Sequence, residues 1–158
     1  MAQKVTVIGA GEMGHGIAEL LALHGYTVSM RDIKQEYLDR GMERLRWSLD
    51  KLVEKAQIKR EQADDALTRI HPTLDLSEAC RDADFVIEAV FEDVELKKKV
   101  FHELDDVAPD KAILASNTSA IPITNMAFAT RRPTKVVGMH FFNPPMLMPL
   151  IEVIRAEK

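Results

Sequence analysis

The stretch VTVIGAGEMG, residues 5–14, decides the fold of this chain. Its first four residues are apolar or β-branched, as in a buried strand, and the glycines that follow have the spacing G-x-G-x-x-G ahead of a segment of helical period. In such a turn Gly9 permits a sharp bend, Gly11 lets the backbone approach a pyrophosphate, and Gly14 lets helix and strand pack closely. Free N–H groups at the helix N-terminus would face the phosphates. The stretch therefore predicts a strand, a phosphate-binding turn and a helix.

An acidic residue follows the second predicted strand, Thr27–Met30, where a ribose-binding carboxylate is expected. Asp32 lies close to the separation of about 20 residues from the glycine turn that dinucleotide-binding folds use. A carboxylate accepts hydrogen bonds from a free ribose 2′-hydroxyl and repels a 2′-phosphate, so NAD is favoured over NADP. Arg31 is expected to point to the opposite side of its strand, and Lys34 is expected to lie in solvent.

The rest of the chain alternates short β-branched runs with longer segments of helical period, and it has no internal repeat. This alternation indicates an α/β fold of the Rossmann type, with a doubly wound, mainly parallel sheet in one domain over residues 1–158. The further strand candidates are Phe85–Val90, Ala112–Ala115, Val136–Met139 and Ile151–Ile154.

The crossover after the second strand is longer than a sheet requires. A single apolar stripe predicts a long helix there, formed by Leu38, Met42, Leu45, Leu49, Leu52 and Ala56. A shorter helix is expected over Glu61–Leu67, so the two would form a helical hairpin inserted into the nucleotide-binding fold. Another helix is expected over Val94–Leu104.

The last two predicted strands are joined by a short segment, residues 143–149. A parallel crossover needs a dozen or more residues, so the last strand should run antiparallel to its predecessor. With the turn centred near Met146, His140 would stand directly opposite Glu152.

Polar side chains follow three of the predicted strands, at the edge where an open parallel sheet binds its ligands. Any one group has the composition of an ordinary loop cap, but their joint placement with a histidine favours a catalytic site. The groups are Glu92, then Ser116, Asn117, Thr118 and Ser119, and finally His140 with Asn143.

This arrangement suits the oxidation of an alcohol to a ketone with NAD. His140 would accept the hydroxyl proton, Glu152 would fix the imidazole tautomer and stabilise its charged form, and Ser119 would hydrogen-bond the reacting oxygen. The other histidines lack such partners and are expected on surfaces, and no pair of them has metal-ligand spacing in context; they are His15, His24, His71 and His102.

Composition narrows the function classes further. The chain has 158 residues, 46% of them hydrophobic, a formal net charge of −4 and an isoelectric point near 5.7, which disfavours non-specific binding of nucleic acid or anionic membrane. One cysteine, Cys80, excludes an internal disulfide and a multi-cysteine metal site. With neither a secretory leader nor a membrane-spanning run, the expectation is a cytoplasmic protein.

The sequence resembles the L-3-hydroxyacyl-CoA dehydrogenases of fatty-acid β-oxidation, including the 3-hydroxybutyryl-CoA branch. The resemblance runs through VIGAGEMGHGIA, DFVIEAVFED, ASNTSAIPIT and GMHFFNPP, and the last two blocks are more specific than the glycine turn. It implies His140 as the base paired with Glu152, and Ser119 in contact with both substrate and nicotinamide. The cofactor residues that it implies are Gly9, Gly11, Gly14, Asp32, Glu92, Lys97, Ser119 and Asn143.

The resemblance also changes the interpretation of the inserted helix. From spacing alone, Arg44, Ser48, Lys51 and Lys55 form a solvated polar stripe. Similarity to the family implies that Ser48 and Lys55 contact the coenzyme A part of an acyl-CoA substrate. The family continues into a helical domain that covers the acyl pocket and mediates dimerisation. The chain is therefore expected to be an NAD-binding domain without that C-terminal part.

Two other functions fit the same residues. One is a related hydroxy-acid dehydrogenase that acts on a sugar acid without coenzyme A. The other is an NAD-binding or regulatory module that does not turn over substrate.

Overall fold

The computed structural model describes residues 3–156, which form one seven-stranded sheet. The strands are β1 (Lys4–Ile8), β2 (Thr27–Arg31), β3 (Ile70–Thr73), β4 (Phe85–Glu88), β5 (Ile113–Ser116), β6 (Val136–Phe141) and β7 (Ile151–Arg155). Their order across the sheet is β3-β2-β1-β4-β5-β6-β7. Every neighbouring pair is parallel except β6 and β7, which are antiparallel. The predicted Rossmann-type class with an antiparallel last strand is confirmed.

Helices cover both faces of the sheet, so the core has two layers. The helices are α1 (Glu12–Leu23), α2 (Gln35–Glu54), α3 (Arg60–Thr68), α4 (Leu76–Cys80), α5 (Val94–Val107) and α6 (Ile123–Ala127). Alternate residues of β1 serve the two layers: Val5 and Val7 pack with α1, α2 and α3, whereas Ile8 packs with α5 and α6. Within residues 3–156, no helix combines the length and hydropathy that a bilayer span requires.

The glycine turn is the most crowded backbone junction of the fold. A Cβ atom on Gly14 would lie 1.8 Å from the Gly9 carbonyl oxygen, and one on Gly9 would lie 2.7 Å from the Ala89 oxygen. Gly9 also has a φ of +104°, a conformation that favours glycine. A Cβ on Gly41 of α2 would lie 2.7 Å from the Ala10 oxygen. Strands β1 and β4 and helices α1 and α2 therefore meet here at backbone contact distance.

One strand and two α-helices were not predicted, and each has a weak sequence pattern. Strand β3 reads IHPT, an edge strand whose His71 and Pro72 are exposed, so it lacks an apolar run. Helices α4 and α6 have five residues each, too few to show a helical period.

Several predicted boundaries were wrong; β6 continues to Phe141 and α5 to Val107, beyond the predicted Met139 and Leu104. Strand β4 ends at Glu88 and not at Val90, because the chain turns there beside the glycine turn. Helix α2 ends at Glu54, and Ala56 is exposed with a φ of +54°, so this residue does not extend the apolar stripe. The helical hairpin itself is confirmed, with Leu38, Met42, Leu45, Leu49 and Leu52 all buried.

The β6–β7 hairpin has the register that its short connection predicts. His140 pairs with Glu152, and Gly138 pairs with Ile154. Strand β7 is the last strand of the sheet, and every one of its residues is exposed, with Val153 at 69%. The expected antiparallel pairing of His140 and Glu152 is therefore confirmed.

A carboxylate is buried where α1 packs on α2. Glu19 is 1% exposed, and Ser48 Oγ donates a hydrogen bond to Glu19 Oε1 at 2.8 Å. Burial raises the pKa of Glu19 from 4.5 to about 7, although the hydrogen bond from Ser48 opposes the change. Folding therefore holds the proton more tightly than the unfolded chain does, and stability is lost as the pH rises from about 4.5 to 7.

The variant Glu19→Gln should lose this pH dependence, because an amide keeps the shape of the side chain and does not ionise. Between pH 5 and pH 8, the free energy of unfolding of the variant should gain about 2 kcal/mol relative to that of the native chain. Urea unfolding of both proteins at the two pH values measures this difference. If the difference in unfolding free energy between the variant and the native chain is the same at pH 5 and at pH 8, Glu19 ionises normally.

Candidate active site

The carboxyl ends of the central strands border a groove of about 800 Å³. Its lining includes most of the residues that the sequence marked as cofactor or catalytic residues: Gly9, Gly11, Asp32, Glu92, Lys97, Ser119, His140 and Asn143. Gly14 lies behind this lining, where it lets α1 pack on β1. A site of this size at the carboxyl edge of a doubly wound sheet suits a dinucleotide.

The glycine turn and Asp32 form one hydrogen-bonded unit at one end of the groove. Asp32 Oδ2 accepts a hydrogen bond from the Ala10 N–H and Oδ1 accepts one from the Ile33 N–H, both at 2.7 Å. No atom lies within 4 Å of the point where a Cβ on Gly11 would stand, so the backbone there is open to the groove. Gly11 is the N-cap of α1 and offers no side chain to its N–H groups. These features fit NAD, with its pyrophosphate at the helix and its ribose at Asp32.

The two cations near Asp32 are engaged elsewhere. Arg31 lines the groove, and its Nε donates a hydrogen bond to the Leu74 carbonyl at 3.3 Å, beyond β3. Lys34 Nζ lies 5.4 Å from the centre of the Tyr37 ring. Neither contact competes with a ribose hydroxyl for the Asp32 carboxylate.

Beneath the groove, a buried ion pair joins β4, β5 and α5. Glu88 is 0% and Lys97 1% exposed, and Lys97 Nζ lies 2.6 Å from Glu88 Oε1. The other Glu88 oxygen accepts a hydrogen bond from Ser116 Oγ at 2.6 Å. Lys97 Nζ also donates to the Val90 carbonyl at 3.2 Å and lies 3.5 Å from Glu92 Oε2. An ammonium group has three N–H donors, and Lys97 directs all three at these groups beneath the groove.

Glu92 links this floor to the loop after β5. Its Oε1 accepts hydrogen bonds from the Thr118 hydroxyl and from the Ala120 N–H. Burial raises the pKa of Glu92, but the hydrogen bond from Thr118 and the charge of Lys97 outweigh it, so the pKa lies below its ordinary value. Glu92 therefore carries a negative charge at neutral pH, beside the exposed Ser119.

The histidine and glutamate of the hairpin meet at the other end of the groove. His140 Nδ1 lies 2.9 Å from Glu152 Oε2, and the Phe142 ring centre lies 4.7 Å from the His140 ring centre. A carboxylate only accepts hydrogen bonds, so Nδ1 carries the proton and Nε2 has a free lone pair in the neutral imidazole. The geometry makes His140 an oriented proton acceptor.

The turn after β6 is fixed to α1, the helix that follows the glycine turn. Asn143 Nδ2 donates a hydrogen bond to Glu12 Oε1 at 2.9 Å. A Cβ on Gly16 would lie 3.0 Å from Pro145 Cδ, so this proline packs directly on the helix. These contacts hold the His140 end of β6 against the cofactor side of the sheet.

Four of the predicted site residues do not line the groove: Gly14 and Glu152, which lie behind its lining, and two residues of the α2 region. Ser48 is half-buried and bonded to Glu19, and Lys55 is exposed at the C-terminal end of α2. Two other residues were missed, Glu88 and Glu12. A charged residue inside the apolar strand FVIE was the available signal for Glu88, whereas the contact of Glu12 with Asn143 spans 131 residues and leaves no local pattern.

Comparison with known proteins gives a consistent family. The family model described as "3-hydroxyacyl-CoA dehydrogenase, NAD binding domain" matches residues 4–158. A protein named probable 3-hydroxybutyryl-CoA dehydrogenase from Deinococcus radiodurans is 47% identical over 96% of this chain and 54% of its own length. A fatty acid oxidation complex subunit alpha from Idiomarina loihiensis is 49% identical over 96% of this chain and 21% of its own length.

Solved structures agree with the sequence comparison. FadB2 from M. tuberculosis has a TM-score of 0.94 and 41% identity, over 99% of this chain and 56% of its own. The (S)-3-hydroxybutyryl-CoA dehydrogenase PaaH1 from Ralstonia eutropha has a TM-score of 0.95 and 38% identity, over 99% of this chain and 55% of its own. The chain thus spans about half the length of several proteins it matches, and less of the multifunctional ones.

Replacing Gly14 with alanine should destabilise the fold, whereas replacing Gly11 with alanine should mainly weaken NAD binding. Gly14→Ala drives a Cβ into the Gly9 backbone and should lower the free energy of unfolding by about 3 kcal/mol or more. Gly11→Ala meets only open space, so its stability should change by less than about 1 kcal/mol. The same methyl projects into the groove and should weaken NAD binding about tenfold or more, a loss of about 1.4 kcal/mol.

Urea unfolding and calorimetric NAD titration measure the two effects separately. A Gly11→Ala chain that binds NAD with native affinity would show that the pyrophosphate does not approach this part of the turn.

Proposed function

The chain belongs to the family of the 3-hydroxyacyl-CoA dehydrogenase NAD-binding domain, and we propose that it supplies the hydride-transfer site for oxidising a 3-hydroxyacyl-CoA to a 3-oxoacyl-CoA in fatty-acid β-oxidation. The observation that carries this proposal is the His140–Glu152 pair, with Nδ1 2.9 Å from Oε2, on the groove that the glycine turn and Asp32 border. An oriented base and a dinucleotide groove at one sheet edge are the two components that alcohol oxidation requires.

His140 handles the proton of the reaction. With Nδ1 bonded to Glu152, Nε2 accepts the proton of the 3-hydroxyl group as the carbonyl forms. Glu152 then stabilises the imidazolium through the same hydrogen bond. When bound, NAD takes the hydride from the substrate carbon. An imidazole titrates close enough to neutrality to return the proton in the reverse reaction.

The other groove residues have positioning roles in this proposal. The Ser119 hydroxyl hydrogen-bonds the reacting oxygen and contacts the nicotinamide end of the cofactor. The negative charge of Glu92 favours the positively charged nicotinamide ring of the oxidised cofactor. Asn143 contacts the cofactor from the turn that Glu12 holds. Lys97 acts from below, through the Glu92 carboxylate and the Val90 carbonyl.

The proposed substrate must reach from the groove to helix α2. Ser48 and Lys55 lie on α2 outside the groove, and both are proposed contacts of the coenzyme A part. An acyl-CoA is long enough to present its acyl end to His140 and its nucleotide end to α2, whereas a sugar acid is not. The helical domain that the resemblance implies stays a prediction, as does dimerisation through it.

Replacing His140 should abolish hydride transfer and leave cofactor binding intact. His140→Ala should slow NADH formation from L-3-hydroxybutyryl-CoA by about 100-fold or more, the usual contribution of a general base. His102→Ala, an exposed histidine on α5, is the matched control and should keep the native rate. Calorimetry should give all three proteins the same affinity for NAD.

The same assay decides between an enzyme and a binding module. Undiminished turnover in His140→Ala would remove this residue from the base role. A native chain that binds NAD and forms no NADH would favour a non-catalytic NAD-binding module.

Lys55→Ala separates a coenzyme A substrate from a free hydroxy acid. Removing one exposed phosphate contact worth about 1 kcal/mol should weaken binding of 3-hydroxybutyryl-CoA about fivefold. Lys99→Ala, at an exposed lysine on α5, should bind like the native chain. Equal affinities in all three proteins, together with turnover of a free sugar acid, would favour the sugar-acid dehydrogenase.

A further inference from the structure

One buried carboxylate lies beneath the groove and does not line it. Glu88 is the last residue of β4 and is 0% exposed. Its side chain accepts hydrogen bonds from the Val90 N–H at 2.7 Å, from Lys97 Nζ at 2.6 Å and from Ser116 Oγ at 2.6 Å. A carboxylate only accepts hydrogen bonds, so three donors suit its charged form. The proton and hydride steps proposed above make no direct use of this group.

Glu88 belongs to a closed ring of contacts. Ser116 Oγ, which donates to Glu88, accepts a hydrogen bond from the Thr118 N–H at 3.2 Å. The Thr118 hydroxyl donates to Glu92 Oε1, and Glu92 Oε2 lies 3.5 Å from Lys97 Nζ. Lys97 closes the ring through its 2.6 Å contact with Glu88. These five residues are called the Glu88 ring below.

The Glu88 ring holds both groups that face the nicotinamide in the proposed function. Ser119 is exposed and lines the groove between Thr118 and Ala120. Glu92 Oε1 accepts hydrogen bonds from both of these neighbours. Glu92 also lines the groove and is itself a member of the ring. The positions of Ser119 and Glu92 therefore depend on contacts that lead back to Glu88.

The charges within the ring do not cancel. Glu88 and Glu92 are two carboxylates, and they share the single ammonium group of Lys97. Without the charge of Glu88, Lys97 would neutralise Glu92, and these side chains would present no net charge to the groove. NAD is positively charged at its nicotinamide ring, whereas NADH is neutral there. The second carboxylate therefore favours the oxidised cofactor.

We propose that Glu88 is a positioning residue for hydride transfer. Its buried charge offsets that of Lys97, so Glu92 keeps an effective negative charge towards the oxidised nicotinamide. The Glu88 ring also fixes the position of Ser119. This inference rests on the proposed function and adds to it three residues that lie outside the groove lining: Glu88, Ser116 and Thr118.

Removing the charge of Glu88 tests the proposal. Glu88→Gln keeps the shape of the side chain, and Lys97 then pairs with Glu92 alone. The ratio of NAD affinity to NADH affinity, called the cofactor ratio below, should fall about tenfold, the order expected for one unit charge at a partly buried site. Calorimetry measures the affinity for NAD, and NADH fluorescence measures the affinity for NADH. A native cofactor ratio in this variant would overturn the proposal.

Two further variants separate charge from stability. In Glu88→Gln/Lys97→Met the positive charge is also gone, so Glu92 should regain its effect and the cofactor ratio should return close to the native value; a ratio that stays low would overturn the proposal. Asp105→Asn is the matched control, because Asp105 is 3% exposed and pairs with Arg132 at the other end of α5. It should lower the free energy of unfolding and keep the native cofactor ratio. A changed ratio would show that lost stability alone alters it, and would overturn the proposal.

Ser116→Ala opens the ring and leaves its three charges in place, so it tests the proposal even if Glu88→Gln fails to fold. Ser119 contacts the nicotinamide of either cofactor in the proposed function. Both affinities should therefore weaken about threefold, the order of one lost hydrogen bond, with the cofactor ratio unchanged. Native affinity for both cofactors would overturn the positioning of Ser119 by the ring.

The outcomes separate this inference from the proposed function. If the native chain binds NAD but forms no NADH from 3-hydroxybutyryl-CoA, the dehydrogenase proposal fails, and the cofactor ratios still decide whether Glu88 acts on the nicotinamide. If NADH forms and Glu88→Gln keeps the native cofactor ratio, the inference fails and the proposed function stands.

Discussion

The close approach of four backbone segments at the glycine turn is the constraint on which the rest of the structure depends. Gly14 and Gly9 touch each other, Gly9 also touches Ala89, and Gly41 touches Ala10, with no room for a side chain at any of these contacts. Strand β1 therefore enters helix α1 directly beneath the end of β4, and α2 crosses over the turn. The same compaction brings the Ala10 N–H to the Asp32 carboxylate and opens the Gly11 backbone to the groove.

A second set of contacts positions the His140 end of the groove relative to the glycine turn. Helix α1 receives Pro145 at Gly16 and Asn143 at Glu12, so the turn after β6 is positioned by the helix that the glycine turn begins. His140 therefore takes its place from tertiary contacts with α1 as well as from its own strand. One helix, α1, thus contacts both the glycine turn and the hairpin that carries His140.

Much of the fold and part of the site were predictable because their signals are local. The glycine spacing, Asp32 and the length of the segment before β7 were enough for the class, the cofactor groove and the pairing of His140 with Glu152. Strand β3 was missed because its proline and exposed histidine hide an edge strand. The resemblance implied Lys97 as a cofactor residue, but no local pattern could predict its position beneath the groove, because that depends on Glu88 and Val90 being folded around one ammonium group.

The proposed catalytic pair, His140 and Glu152, lies on two strands that differ in their protection from amide exchange. His140 belongs to β6, whose residues Val136–Gly138 also pair with β5 and whose Phe141 N–H donates to Asn117 Oδ1. Glu152 belongs to β7, which has a partner on one side only within residues 3–156. Amide exchange at the outer strand requires only local fraying, while exchange over Val136–Gly138 of β6 requires the sheet to part. The carboxylate is thus the looser member of the pair, and anything that docks along the bare edge of β7 would sharpen the orientation of the imidazole without touching it.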